Sequence, residues 1–120
     1  EAGKMTVCRR DTLEKGELPI ENAEEGIKTL LSEIAENMYN AAKKRMEQRI
    51  VDAETLDELL DGVNRGNFVR AGWCGCRECE DKVKEFAQAT ARVYAKEDTA
   101  KTCVTCGKKS AHTIVFARAY

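Results

Sequence analysis

The chain has 120 residues, of which 34% are charged and only 6% aromatic, so its core must rest on aliphatic side chains. Twenty basic residues against twenty-one acidic ones leave a formal charge of −1, which argues against a dedicated polybasic nucleic-acid binder. No apolar run approaches the roughly 20 residues that a bilayer-spanning helix needs, and the length suits one domain, or a small domain with a piece of another.

Residues 4–9 alternate, with Met5 and Val7 on one side, and predict a strand. Arg9-Arg10-Asp11-Thr12 and the polar stretch to Pro19 read as a loop, so that strand is expected to lack a partner close in sequence. From Asn22 the period becomes helical. Asn22 is a candidate cap with Glu25 completing a capping box, and Ile27, Leu30, Leu31, Ile34 and Met38 form a stripe that Ala41, Ala42 and Met46 continue. The helix is expected to reach about residue 49, and its charged face, Lys43 and Lys44 included, reads as a solvated face.

The remainder predicts a compact α+β unit. Ile50-Val51 is a short strand, and Thr55-x-x-Glu58 opens a helix bearing Leu56, Leu59, Leu60 and Val63, with Gly66 ending it in the left-handed region. Residues 67–73 form a strand that delivers the chain to Cys74. A helix over 78–88 turns Val83, Phe86 and Ala87 inward. Thr90 to Tyr94 and Thr113 to Arg118 are strands separated by a charged loop.

Six cysteines would suit a disulfide scaffold, but five of them crowd into Cys74-Gly-Cys76-Arg-Glu-Cys79 and Cys103-Val-Thr-Cys106-Gly107, and no apolar leader precedes them. Two such clusters of thiolates match the tetrahedral demand of Zn²⁺, and the expected setting is a soluble protein of a reducing compartment. Four ligands close a structural site, so either Cys74 or Cys76 is spare, and His112 is a weaker substitute at the start of a strand. Arg77, Lys82, Lys101, Lys108 and Lys109 are positioned in sequence to offset the negative charge of the thiolates. A closed set of four cysteines leaves no position for a substrate. No nucleophile-and-base set, phosphate loop or paired carboxylates accompany it.

Several segments together resemble the C-terminal portion of prolyl-tRNA synthetase of the archaeal and eukaryotic-like type. These are Val7-Cys8-Arg9-Arg10-Asp11-Thr12, Cys74-Gly75-x3-Cys79-Glu80-Asp81-x2-Lys84, Ala89-Thr90-Ala91-Arg92, Cys103-x2-Cys106-Gly107-Lys108 and the terminal Val115-Phe116-Ala117-Arg118-Ala119-Tyr120. The resemblance implies that residues 1 to about 48 are the last strand and helix of an anticodon-binding domain, and 49–120 a zinc-binding C-terminal domain with a small mixed sheet covered by helices. It implies Cys74, Cys79, Cys103 and Cys106 as the structural Zn²⁺ ligands, with Cys76 at a variable position. It also implies that Tyr120 approaches the active site. ATP, Mg²⁺ and tRNA(Pro) would belong to a cytoplasmic, homodimeric parent whose catalytic core lies upstream. The competing expectation is a free-standing zinc-ribbon-like module for an RNA or protein partner. A redox role for Cys76-x2-Cys79 is less suited to the second cysteine pair.

Overall fold

The computed structural model describes residues 3–119, which fall into two units, Glu1–Met46 and Glu47–Tyr120. In the first unit, β1 (Lys4–Cys8) pairs antiparallel with β2 (Lys15–Pro19), Met5 opposite Leu18 and Val7 opposite Gly16. The lone strand expected at 4–9 is therefore half of a hairpin, and the loop expected up to Pro19 contains its partner. The reason the second strand was illegible is physical: only Leu18 of Lys15–Pro19 is even half-buried, so no apolar alternation marks it.

The hairpin closes through Leu13, whose backbone adopts φ 62 and donates to the Arg9 carbonyl at 2.9 Å, while the Arg9 N–H donates to Glu14 O at 2.9 Å. A 3-10 turn, Ile20–Asn22, then leads into α1 (Ala23–Gln48). Asn22 lies inside that turn rather than capping the helix. Gly26 lets α1 lie against β2, since a Cβ there would come within 3.1 Å of the Leu18 side chain. Leu30 and Ile34 are half-buried, whereas Ile27, Leu31, Met38 and Met46 of the expected stripe are exposed.

A polar network fixes the hairpin to α1. The Arg9 guanidinium donates to both Asp11 carboxylate oxygens at 3.0 and 2.8 Å and to Glu33 at 3.0 Å, and Asn37 Nδ2 donates to Asp11 at 2.9 Å. These donors, Arg9 first, hold the Asp11 carboxyl well below the usual carboxylate range against the opposing effect of burial.

The second unit is a four-stranded mixed sheet in the order β3-β4-β6-β5. β3 (Ile50–Ala53) and β4 (Phe68–Trp73) run parallel across the connecting helix α2 (Leu56–Asn64). β6 (His112–Arg118) is antiparallel to both β4 and β5 (Ala89–Tyr94), and α3 (Arg77–Ala87) links β4 to β5. Thr55 Oγ1 accepts the Glu58 N–H at 3.2 Å while Glu58 accepts the Glu54 N–H at 2.8 Å, so this helix start is satisfied from both sides. Gly66, at φ 76, donates back to Val63 O at 3.0 Å and ends α2.

Leu59, Val63, Val83 and Ala87 from the helices meet Ala53, Val69, Ala71, Ala89, Ile114 and Phe116 from the strands in one core. Gly62 permits the close approach of α2 to the sheet, because a Cβ there would fall 2.6 Å from Val69 Cγ2. Phe86 departs from the expected inward set at 48% exposure; Val83 and Ala87, with Cys79 at the start of the helix, carry the buried face of α3.

The depressed Asp11 carboxyl contributes stability that is complete above the ordinary carboxylate range and declines as pH falls below it. The protection factors of the Arg9 and Leu13 amides, measured against the intrinsic exchange rate at each pH, should therefore be high near neutrality and fall as pH drops below about 4. Asp11→Ala should show low protection factors at both pH values.

Candidate metal centre

β4 carries the chain straight to Cys74, and Gly75 turns it at φ 89 into α3. Cys79 lies in the first turn of that helix, where its N–H donates to Cys76 O at 3.2 Å. The other two cysteines come from a tight knuckle: Cys103 N donates to Lys108 O at 2.7 Å, and Gly107, at φ 70, returns its N–H to Cys103 O at 2.9 Å.

Backbone pairing with the last turnless residues of β4 brings the knuckle to the strand. Val104 N donates to Gly72 O at 2.9 Å and Ala111 N to Trp73 O at 2.8 Å. The Ser110 hydroxyl accepts the Trp73 N–H at 3.2 Å and donates to His112 O at 2.8 Å. Thr105 Oγ1 donates to Cys79 O at 3.0 Å, tying the knuckle to α3 as well. Gly72 is required here, because a Cβ would collide with the Thr102 carbonyl. Sequence reasoning missed Gly72, Thr105 and Ser110; a glycine inside a strand is the one local signal that marks such close backbone approach.

The sulfurs of Cys74, Cys79, Cys103 and Cys106 all lie within 4.8 Å of one another. Cys74 Sγ is 3.6 Å from Cys79 Sγ and 3.7 Å from Cys106 Sγ. Zn–S bonds of about 2.3 Å in a tetrahedron require sulfurs roughly 3.8 Å apart, so the set fits that ion in both donor type and spacing. All six cysteines are unbridged, and Cys8 and Cys76 stand outside the cluster on exposed positions. The Cys76 carbonyl instead accepts from Trp73 Nε1 at 2.9 Å. His112 also lies outside, its ring edge-on to Tyr94 at 5.2 Å. Tyr120 is outside the described residues.

The environment favours one thiolate strongly. Burial pushes the Cys103 thiol up, but N–H groups of Cys106, Thr105 and Cys74 outweigh it and bring the thiol down to about 7. Cys79 goes the other way, raised by burial and then by the neighbouring sulfurs of Cys74 and Cys106. For Cys74, an N–H bond from Cys76 lowers the thiol, but burial and the sulfurs of Cys106 and Cys103 leave it raised. Four crowded thiols therefore cannot all shed their protons without a cation among them. Among the described residues, none of Arg77, Lys82, Lys101, Lys108 or Lys109 donates a hydrogen bond to these sulfurs, and backbone N–H groups take the supporting role assigned to them from sequence.

A small mixed sheet under two helices gathers four thiols at one end, a set whose donor type and spacing could hold a metal ion. Residues 56–120 match the family model described as prolyl-tRNA synthetase, C-terminal. The whole chain is 37% identical over 122 residues to the proline–tRNA ligase of Oceanobacillus iheyensis and 38% identical over 125 residues to that of Phocaeicola vulgatus. It spans 26% and 25% of those proteins, about a quarter of their length. The prolyl-tRNA synthetase of Cryptosporidium parvum, solved with L-proline and AMP, superimposes with a TM-score of 0.90 at 27% identity, over 98% of this chain and 26% of that one. The chain belongs to the prolyl-tRNA synthetase C-terminal family.

Gly72→Ala should push the knuckle off β4 and separate Cys103 and Cys106 from Cys74. Bound zinc, measured by elemental analysis after dialysis, should drop well below that of the unaltered chain, whereas Gly107→Asn, which tolerates the left-handed region, should retain it.

Proposed function

We propose that this chain is the C-terminal segment of a prolyl-tRNA synthetase, the ligase that joins proline to tRNA(Pro) using ATP, and that its role in that enzyme is structural. The observation that carries the reading is the convergence of four thiols on one point in a chain whose entire length matches the ends of proline–tRNA ligases. Cys74, Cys79, Cys103 and Cys106 would hold a structural Zn²⁺, with Cys76 dispensable. When bound, the ion supplies a cross-link between the end of β4, the start of α3 and the 103–107 knuckle, together with the positive charge that four thiolates require.

The protein's own residues do the rest. N–H groups around Cys103 bring its thiol down, so that it would offer the ion a thiolate ligand. Gly72, Trp73 and Ser110 keep the second pair aimed at the first. Residues 1–48 are assigned to the end of an anticodon-binding domain and 49–120 to the zinc-binding domain. ATP, Mg²⁺, proline and the homodimer interface belong to the rest of the cytoplasmic parent, and the terminal Tyr120 is assigned to its active-site approach. No described helix is long and apolar enough to cross a membrane.

Zinc stoichiometry tests this directly. Cys76→Ser should keep one ion per chain, and Cys74→Ser should lose it or hold it far more weakly. Apparent binding energies for such sites are about 10–16 kcal/mol, comparable with the whole stability of a small domain. Chelation should accordingly abolish the cooperative thermal transition of the 47–120 unit, with re-addition of zinc restoring it. An unchanged melt in chelator would remove the structural role.

A further inference from the structure

The geometry points to a second site in the 47–120 unit: a groove that binds an unpaired nucleotide of an RNA strand. It rests on the reading of this chain as part of a tRNA ligase and assigns an RNA contact to the zinc-binding unit. The groove has a volume of about 700 Å³ and opens where β4 begins and β6 ends. Arg49, Arg92 and Arg118 line it together with Asn64, Asn67 and Phe68, and among the described residues no carboxylate side chain does.

Three features give it the chemistry of a nucleotide site. Phe68 stands 39% exposed at the first position of β4 and lines the groove, an aromatic side chain partly open to solvent of the kind on which bases stack. Arg92 is the extra residue of a β-bulge, since Ala91 pairs with Phe116 and Val93 with Val115. A bulge re-aims the side chain it carries, and here it turns an edge-strand arginine to the groove. The third feature is the charge left unspent. Arg118 is occupied, donating to Asn64 Oδ1 at 2.8 Å and to Ala87 O at 3.1 Å. Arg9, Arg65 and Arg70 have acidic partners, but among the described residues Arg49 and Arg92 have none. Two unpaired guanidiniums beside an exposed ring match a phosphate and a base on consecutive positions of a strand. Side-chain amides at Asn64 and Asn67 are available to the base edge, Asn64 retaining its Nδ2 donor.

The overall charge of −1 makes this a local site rather than a general polyanion surface. An acidic protein segment would satisfy the arginines but would leave the Phe68 face without a partner.

The test is fluorescence anisotropy of the zinc-loaded 120-residue chain with a labelled, unstructured RNA of about ten nucleotides, across a salt series. Arg49→Gln and Arg92→Gln should each weaken binding about fivefold or more and flatten the salt slope by about 1. Phe68→Leu, which keeps apolar cover, should weaken binding by about fivefold or more without changing the slope. Lys96→Gln, on the exposed loop after β5, should change neither. Zinc content of every variant checks that the unit is intact. Losses equal to that of Lys96→Gln, or none, would overturn the assignment. So would displacement of the RNA by a glutamate-rich peptide at equal concentration, which would give the groove to an acidic protein partner. Aminoacylation of tRNA(Pro) by the parent enzyme separates the two readings: charging without groove-dependent RNA binding defeats this site alone, while absence of charging defeats the functional assignment itself.

Discussion

Everything at the thiol cluster depends on a backbone contact between two segments about thirty residues apart. Gly72 and Trp73 form the far end of a core strand, and their carbonyls accept the N–H groups of Val104 and Ala111. That pairing brings the knuckle, with Cys103 and Cys106, to the place where β4 delivers Cys74 and α3 begins with Cys79. The sheet supplies rigidity for the first pair through the buried Val69, Ala71, Ile114 and Phe116. The knuckle has little apolar anchorage of its own beyond Val104, so its position rests on hydrogen bonds and on the ligand set it completes. A metal held by the four thiols, as proposed, would cross-link this loop to the end of the fold.

The electrostatics follow from the same arrangement. Bringing four sulfurs within 4.8 Å makes simultaneous ionisation costly unless a cation is shared among them. N–H groups directed at Cys103 bring its thiol down despite burial, while burial and the neighbouring sulfurs hold the Cys79 thiol up. The cluster is thus prepared for a cation by backbone geometry, without a neighbouring lysine or arginine on any sulfur among the described residues. The unit Glu1–Met46 uses the opposite solution, a carboxylate held between arginine and asparagine side chains.

Much of this was legible in the sequence because it is governed by short-range patterns. Thr55-x-x-Glu58, Gly66 and the stripe of Leu59 and Val63 define α2 within a single helix. The thiol pairs sit at spacings that a turn of helix or a knuckle converts into adjacent sulfurs. Spacing left Cys74 and Cys76 open, and family resemblance favoured the former; the structure brings Cys74 into the cluster and leaves Cys76 outside. What the sequence concealed were features set by tertiary pairing. β2 is nearly all exposed and so carries no period, and Phe86 occupies a helical position one step round from the buried face. Ser110 and Thr105 give no hint of their partners, since those partners arrive from β4 and α3.

X-ray absorption at the zinc edge, recorded on the Cys76→Ser chain, addresses the central claim most directly. Closure of the site by Cys74, Cys79, Cys103 and Cys106 predicts four sulfur neighbours at about 2.3 Å and no nitrogen shell. Three sulfurs with a nitrogen or oxygen neighbour would contradict it, because Cys76 or another group would then be part of the site.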